Sequence, residues 1–146
     1  MSPKIRRMTQ KDLLTVSEME AEIFPDPWIF KSFQTEVSNT TYSYPCVIEI
    51  EEQIHGYAVV WFYSGEVHIG NFAIIQNSRK KGFGKLLLEH ILHKFSGYEM
   101  AFLEVRKSNI PAISLYKKYG FEELYIREFY YANGEDAIVM GRKLKQ

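Results

Sequence analysis

Seven residues in the middle of the chain, Arg79-Lys80-Lys81-Gly82-Phe83-Gly84-Lys85, constrain the fold more than any other stretch. A β-rich run ends just before them, near Ile75, and a helical run begins among them, at Gly84. A strand that turns directly into a helix aims that helix's free N–H groups at the turn. Gly82 and Gly84 allow backbone to approach an anion closely, and Arg79, Lys80, Lys81 and Lys85 supply the opposite charge. The stretch reads as a phosphate-binding strand–turn–helix junction. It is not a Walker loop, because no Gly-Lys-Ser/Thr ending follows. Nor is it a dinucleotide fingerprint: G-x-G-x-x-G is not completed and no β-α-β repeat surrounds it.

The flanking patterns set the fold class. Lys4 to Met8 reads as a short first strand, and Thr9 with Asp12 has capping-box-like spacing that opens a helix to about Ile23. Leu13, Val16 and Ile23 form its apolar stripe, which Glu20 interrupts. Pro25 and Pro27 end that helix, and Trp28 to Val37 reads as a second. Three β-rich runs follow, Tyr44 to Ile50, Gly56 to Tyr63 and Glu66 to Ile75, with turn-like separators that predict antiparallel hairpins. Gly84 to Phe95 is a strong helix with Leu87, Leu88, Ile91 and Phe95 on one face. Glu99 to Arg106 is a strand. Ser108 or Asn109 caps the next helix, Pro111 sits in its first turn and Gly120 ends it. Phe121 to Tyr131 and Glu135 to Lys143 predict a closing hairpin around Asn133-Gly134. The order β-α-α-β-β-β-α-β-α-β-β predicts an α/β (α+β) fold, a mixed, mostly antiparallel sheet flanked by helices. Residues 1–146 are read as a single domain, since no linker or repeat divides them.

Lys+Arg and Asp+Glu both number 18, so the formal net charge is zero and the chain is not built to grip a nucleic-acid backbone. The single cysteine, Cys46, cannot form an internal disulfide and lies in an apolar run, where it reads as buried. The N-terminus lacks the apolar run of a signal peptide, and Tyr57 to Tyr63 is far too short for a membrane span. These observations predict a cytoplasmic protein with no membrane or nucleic-acid partner.

Two further motifs carry chemistry. In Leu103-Glu104-Val105-Arg106, alternation puts Ala101, Leu103 and Val105 on one face and Met100, Phe102 and Glu104 on the other. A carboxylate beside Met and Phe is expected to be partly desolvated, which would suit it to be a general base. Pairing with a nearby Lys or Arg is the competing reading. In Ala112-Ile113-Ser114-Leu115-Tyr116, Tyr116 is either a core aromatic or a phenol that donates a proton. His90 and His93 share a helix face without a third partner, and a solvated face is the better reading than a metal site. No metal is expected.

Taken in this order, the motifs resemble those of the GNAT superfamily of acetyl-CoA-dependent N-acetyltransferases, over nearly the whole chain. Arg79 to Gly84 resembles the family's Q/R-x-x-G-x-G/A pyrophosphate loop, and Asn109 and Tyr116 resemble its late cofactor-site residues. More narrowly, the chain is similar to the bacterial ribosomal-protein alanine N-acetyltransferases. The likeness lies in Phe24-Pro25-Asp26-Pro27-Trp28, Leu103 to Asn109, Ala112 to Tyr116, Arg127 to Tyr131 and Glu135 to Met140.

The resemblance implies a set of roles. Backbone groups of Phe72, Ala73 and Ile74 would pair with the pantetheine arm of acetyl-CoA. Lys80, Lys81, Gly82, Phe83, Gly84 and Lys85 would wrap its pyrophosphate, and Asn109 would contact the cofactor. Glu104 would deprotonate the substrate ammonium through water, and Tyr116 would protonate the departing thiolate. Phe24, Trp28, Tyr130 and Tyr131 would meet the acceptor. The implied acceptor is a protein N-terminus, with a ribosomal alanine as the leading target and a monomer or weak dimer as the working form. A small-molecule amine, a lysine side chain, or a CoA-binding module without turnover are the alternatives. Four departures stand out. Gln76-Asn77 replaces the usual Pro, Phe72 replaces a smaller residue, Asp26-Pro27 interrupts Phe-Pro-Trp, and the closing hairpin is short.

Overall fold

The computed structural model describes residues 2–145. Strands β1 (Lys4–Arg7), β2 (Ser43–Ile50), β3 (Gln53–Tyr63), β4 (Glu66–Ile74), β5 (Met100–Arg106), β6 (Glu122–Arg127) and β7 (Ala137–Lys143) form one sheet in the order β1-β2-β3-β4-β5-β7-β6. Every neighbouring pair is antiparallel except β4 with β5. Helices α1 (Leu13–Ile23) and α2 (Phe30–Ser38) cover one face, and α3 (Phe83–Lys94) and α4 (Ile110–Lys118) belong to the other. The predicted element order and mixed sheet are what the chain forms.

Each face has its own core. Leu87, Leu88 and Ile91 of α3 pack with Ala101, Leu103 and Val105 of β5, and Phe95 closes the same cluster. Leu13 and Val16 of α1 and Phe33 of α2 pack on Val47, Tyr57 and Val59 across the sheet. Cys46 is fully buried, and burial pushes its thiol up to about 12. The helix expected from Thr9 starts instead as a short 3-10 turn, Gln10–Asp12, before α1. The capping box is present there: the Asp12 carboxylate accepts from the Thr9 backbone N–H at 2.7 Å. It is also held by the Arg6 guanidinium through two hydrogen bonds of 2.8 and 3.0 Å.

Two of the sheet's irregularities lie beside a cavity. Register between β3 and β4 passes from Val59↔Asn71 to Val60↔Ile69, so Gly70 is an extra residue in β4. A bulge of this kind reverses the alternation beyond it. Before Gly70, Val67 and Ile69 face the α3 core; after it, Phe72 and Ile74 do so while Ala73 faces the α1 core. Any side chain at Gly70 would run into the Trp61 ring. The second irregularity is where β4 and β5 part. Their parallel pairing covers Glu66–Ile69 against Met100–Leu103 and stops there.

The closing hairpin is shorter in its strands and longer in its connector than the pattern predicts. β6 ends at Arg127 and β7 starts at Ala137, leaving nine residues between. Asn133-Gly134 forms a local turn, with Gly134 N–H donating to the Tyr131 carbonyl at 2.8 Å, but it does not join paired strands. Phe129, with φ of 52°, turns the chain out of the ladder, and the Asp136 carboxylate fixes that turn by accepting its N–H at 3.0 Å.

Candidate active site

Where β4 and β5 diverge, the side of β4 that faced β5 loses its strand partner from Gly70 onward. Phe72, Ala73 and Ile74 remain paired on their other side with β3. Their free edge can accept a strand-like ligand segment. The Ile74 carbonyl already receives a hydrogen bond from Arg79 Nε at 3.0 Å. Ala73 is buried, and the Phe72 ring meets Tyr116 edge-on with centroids 5.9 Å apart.

The junction after β4 is built as the sequence implies, with one addition. A short 3-10 turn, Gln76–Ser78, takes the place of the missing Pro. Lys80 and Gly82 then adopt positive φ, 65° and 83°, and Gly82 is the N-cap of α3. The first bond of that helix runs from Leu86 N–H to the Gly82 carbonyl at 3.1 Å. The N–H groups of Phe83, Gly84 and Lys85 therefore precede the first helical bond and point outward from a helix N-terminus. Lys80, Lys81 and Lys85 are exposed around it. A Cβ placed on Gly82 would meet nothing within 4 Å, so the space beside it is open.

A cavity of about 880 Å³ lies between the diverging strands and the α1–α2 side of the sheet. Tyr116, Asn109, Glu104, Phe24, Trp28, Tyr130 and Tyr131 all line it. One space thus gathers the expected base, the expected acid and the expected acceptor contacts. The Lys80–Lys85 loop lies outside its lining, at the strand ends.

Tyr116 is 5% exposed and sits between Phe72 and Phe121, both edge-on at 5.9 Å. Burial, reinforced by the neighbouring Tyr131, raises its phenol pKa well above the ordinary value, so the group stays protonated. Asn109 caps α4 through its side-chain oxygen, which accepts from Ala112 N–H at 3.3 Å.

Glu104 is open to solvent rather than partly desolvated as its strand neighbours predict. It faces the same side of β5 as Met100 and Phe102, as alternation requires, yet it is exposed. Its neighbours are polar: Arg127 Nε stands 3.7 Å from Oε1. The Tyr130 phenol, whose pKa is raised by hydrogen bonding to Glu104 and by burial, is another. Among the described residues the helices of this face, α1 and α2, pack on β2 and β3 rather than on β5, so Met and Phe beside Glu104 in sequence do not exclude water.

Several cavity residues escaped the sequence reading. Glu20, which only interrupted an apolar stripe, is 2% exposed and fully satisfied. Its Oε1 accepts from the Tyr57 hydroxyl at 2.8 Å and from Asn71 Nδ2 at 3.0 Å, and its Oε2 accepts from Trp28 N–H at 3.0 Å. A charged residue on the buried stripe of a helix requires such partners, and that was the available signal. The contact to Trp28 pins the segment after α1, and the Trp28 ring stacks on Trp61 at 5.9 Å and 17°. His90 is also placed differently from expectation: only His93 is exposed, while His90 hydrogen-bonds the Tyr44 hydroxyl at 2.8 Å. Among the described residues no group of three His, Cys, Asp or Glu is placed to hold a metal, and no helix is long and apolar enough to cross a membrane.

The acetyltransferase (GNAT) family pattern matches residues 13–121, and the chain belongs to that family. It is an N-acetyltransferase. Its sequence is 37% identical, over 93% of this chain and 92% of the other, to a Bacillus subtilis protein (strain 168) described as a candidate ribosomal protein bS18-alanine N-acetyltransferase. The crystal structure of the ribosomal-protein-S18-alanine N-acetyltransferase from Escherichia coli superposes with a TM-score of 0.91 and 28% identity, covering 99% of this chain and 96% of that one. Arabidopsis thaliana NAA60, solved in complex with acetyl-CoA, shares the fold with a TM-score of 0.87 and 19% identity, over 98% and 99% of the two chains.

Proposed function

We propose that this chain transfers the acetyl group of acetyl-CoA to the N-terminal α-amine of a protein, with the N-terminal alanine of a small-subunit ribosomal protein as the leading acceptor. The observation that carries the reading is the placement of Tyr116 and Glu104 on one cavity at the point where β4 and β5 part. The likeness to alanine N-acetyltransferases of ribosomal proteins supports the choice of acceptor.

The residues present fit acetyl-CoA. The unpaired edge at Phe72–Ile74 suits the amide-bearing pantetheine arm, and the open N-terminus of α3 with Lys80, Lys81 and Lys85 suits the pyrophosphate. When bound, acetyl-CoA supplies an acyl thioester. The acceptor amine attacks its carbonyl directly, forming the C–N bond as the C–S bond breaks. Tyr116 holds a proton at its hydroxyl oxygen for the departing sulfur, which its raised pKa preserves at neutral pH. Glu104, open to solvent, takes the ammonium proton through a short water chain rather than by contact. No covalent enzyme intermediate is needed.

The test is a steady-state comparison of three acceptor classes. One is a peptide starting with the ribosomal alanine sequence, the second is that peptide with its N-terminus blocked and a lysine inside, and the third is a polyamine. A kcat/KM for the free-N-terminus peptide at least about tenfold above the others is expected, since an N-terminus and a side-chain amine differ by several hydrogen bonds in a fitted groove. Preference for the polyamine or the blocked peptide would overturn the reading.

A further inference from the structure

Arg106 is the last residue of β5, and its side chain is 12% exposed. Its guanidinium reaches two separate walls of the cavity. On one side it pairs with Asp26, in the segment between α1 and α2. On the other it donates to Glu135 Oε1 at 3.1 Å and to Asn133 Oδ1 at 3.2 Å, both in the connector between β6 and β7. The Tyr131 ring of that connector lies under the guanidinium, 3.9 Å from Cζ to the centroid.

The bridge has two extensions. Asp26 Oδ2 accepts from Ala132 N–H at 3.4 Å, so the walls also touch directly. Glu135 Oε2 accepts from Ser108 N–H at 2.8 Å, which ties the connector to the turn before α4. Hydrogen bonds from Ser108, then Arg106, hold the Glu135 carboxyl below its ordinary pKa, so it stays charged. One planar donor fork thus serves two carboxylates, a carboxamide and an aromatic face. Lysine, with a single ammonium, cannot reproduce that geometry.

The tied segments carry Phe24 and Trp28 on one wall and Tyr130 and Tyr131 on the other. Neither segment is regular secondary structure, so neither is held by a ladder of its own. We propose that Arg106 is a positioning residue that latches the two walls of the acceptor groove, so that residues 24–28 and 131–135 open and close as one unit and set acceptor affinity. The claim about affinity rests on the proposed transfer to a peptide N-terminus; the claim about the latch does not.

Amide hydrogen exchange tests the latch without an acceptor. In Asp26→Asn, the Ser108 and Gly134 amides, which do not touch Asp26, should exchange faster. In Glu135→Gln, the Trp28 amide on the opposite wall should do so. Loss of one charge-assisted bond at a nearly buried site predicts acceleration of about tenfold. Acceleration confined to the wall that carries the substitution would overturn the latch.

Kinetics test the consequence. In Arg106→Lys and in Asp26→Asn, acceptor-peptide KM should rise about tenfold, by the same reasoning, while acetyl-CoA affinity measured by calorimetry on Asp26→Asn is unchanged. An unaltered acceptor KM with coupled exchange would overturn the role in affinity. If the wild type acetylates no peptide, the acceptor reading and the affinity claim fail together, and the exchange data still decide whether the walls are joined.

Discussion

Arg127 on β6 stands 3.7 Å from the Glu104 carboxylate on β5, across β7, at the open edge of the cavity. Glu104 is therefore open to solvent among polar groups, and the proposed base role would rest on its position rather than on desolvation. An N-terminal α-amine has a pKa of about 7.7–8.0, so much of it is protonated at neutral pH. Glu104→Gln should keep the fold and acetyl-CoA binding but lose most turnover near neutrality. The deficit should shrink as pH rises and free amine accumulates. A pH–rate profile of both proteins on one acceptor peptide checks this, and a deficit constant with pH would mean that Glu104 positions substrate instead.

Tyr116 tests the acid. The Phe72 and Phe121 rings pack against it, so Tyr116→Phe preserves shape. Loss of general acid catalysis predicts a fall in kcat of about 10²–10⁴-fold with a much smaller change in acetyl-CoA affinity. Because its pKa lies above the ordinary phenol value, the wild-type profile should show no limb from Tyr116 below about pH 10. A full-speed Phe variant would leave Tyr116 as a packing residue.

Gly82 joins two requirements at one atom. Its φ of 83° favours glycine, and its missing Cβ leaves open the space facing the α3 N-terminus. Alanine there should cost about 1–2 kcal/mol of stability through the left-handed backbone. It should also weaken acetyl-CoA binding well beyond that, because the new methyl group stands where phosphate would approach. Valine adds β-branching to the same strained position and should be worse on both counts. Calorimetric affinity, set beside the thermal midpoint of each variant, separates the two effects.

Asp12 sets an acid limit. Burial works to raise its pKa, but hydrogen bonds from Arg6 and Thr9 outweigh that and leave it below 3.8. A carboxyl whose folded pKa lies below its unfolded value of about 3.9 adds stability that is fully present above that value. The contribution disappears as pH falls through the folded pKa. Urea unfolding of the wild type should therefore show a stability decline below about pH 4 that is shallower in Asp12→Asn. Equal slopes would show that Arg6 holds Asp12 no better in the folded chain than in the unfolded one.

Periodic and local features were legible in the residues alone. Helical spacing in α3, alternation in β5, the Asn109 cap and the glycine turn each depend on neighbours within a few positions, so backbone geometry makes them readable. The roles proposed for Tyr116 and Lys80–Lys85 rest on that local grammar together with the family resemblance.

Burial and partnership were not legible in the same way. Alternation put Glu104 on the right face, but whether that face is wet depends on which strands α1 and α2 leave uncovered. Glu20 looked like a flaw in a stripe because its partners, Tyr57 and Asn71, lie 37 and 51 residues away. Asp26 and Arg106 are 80 residues apart, and nothing in either segment announces the other. Local order follows from short-range sterics and periodicity, whereas solvent exposure and ion pairing arise only when distant segments are folded against one another.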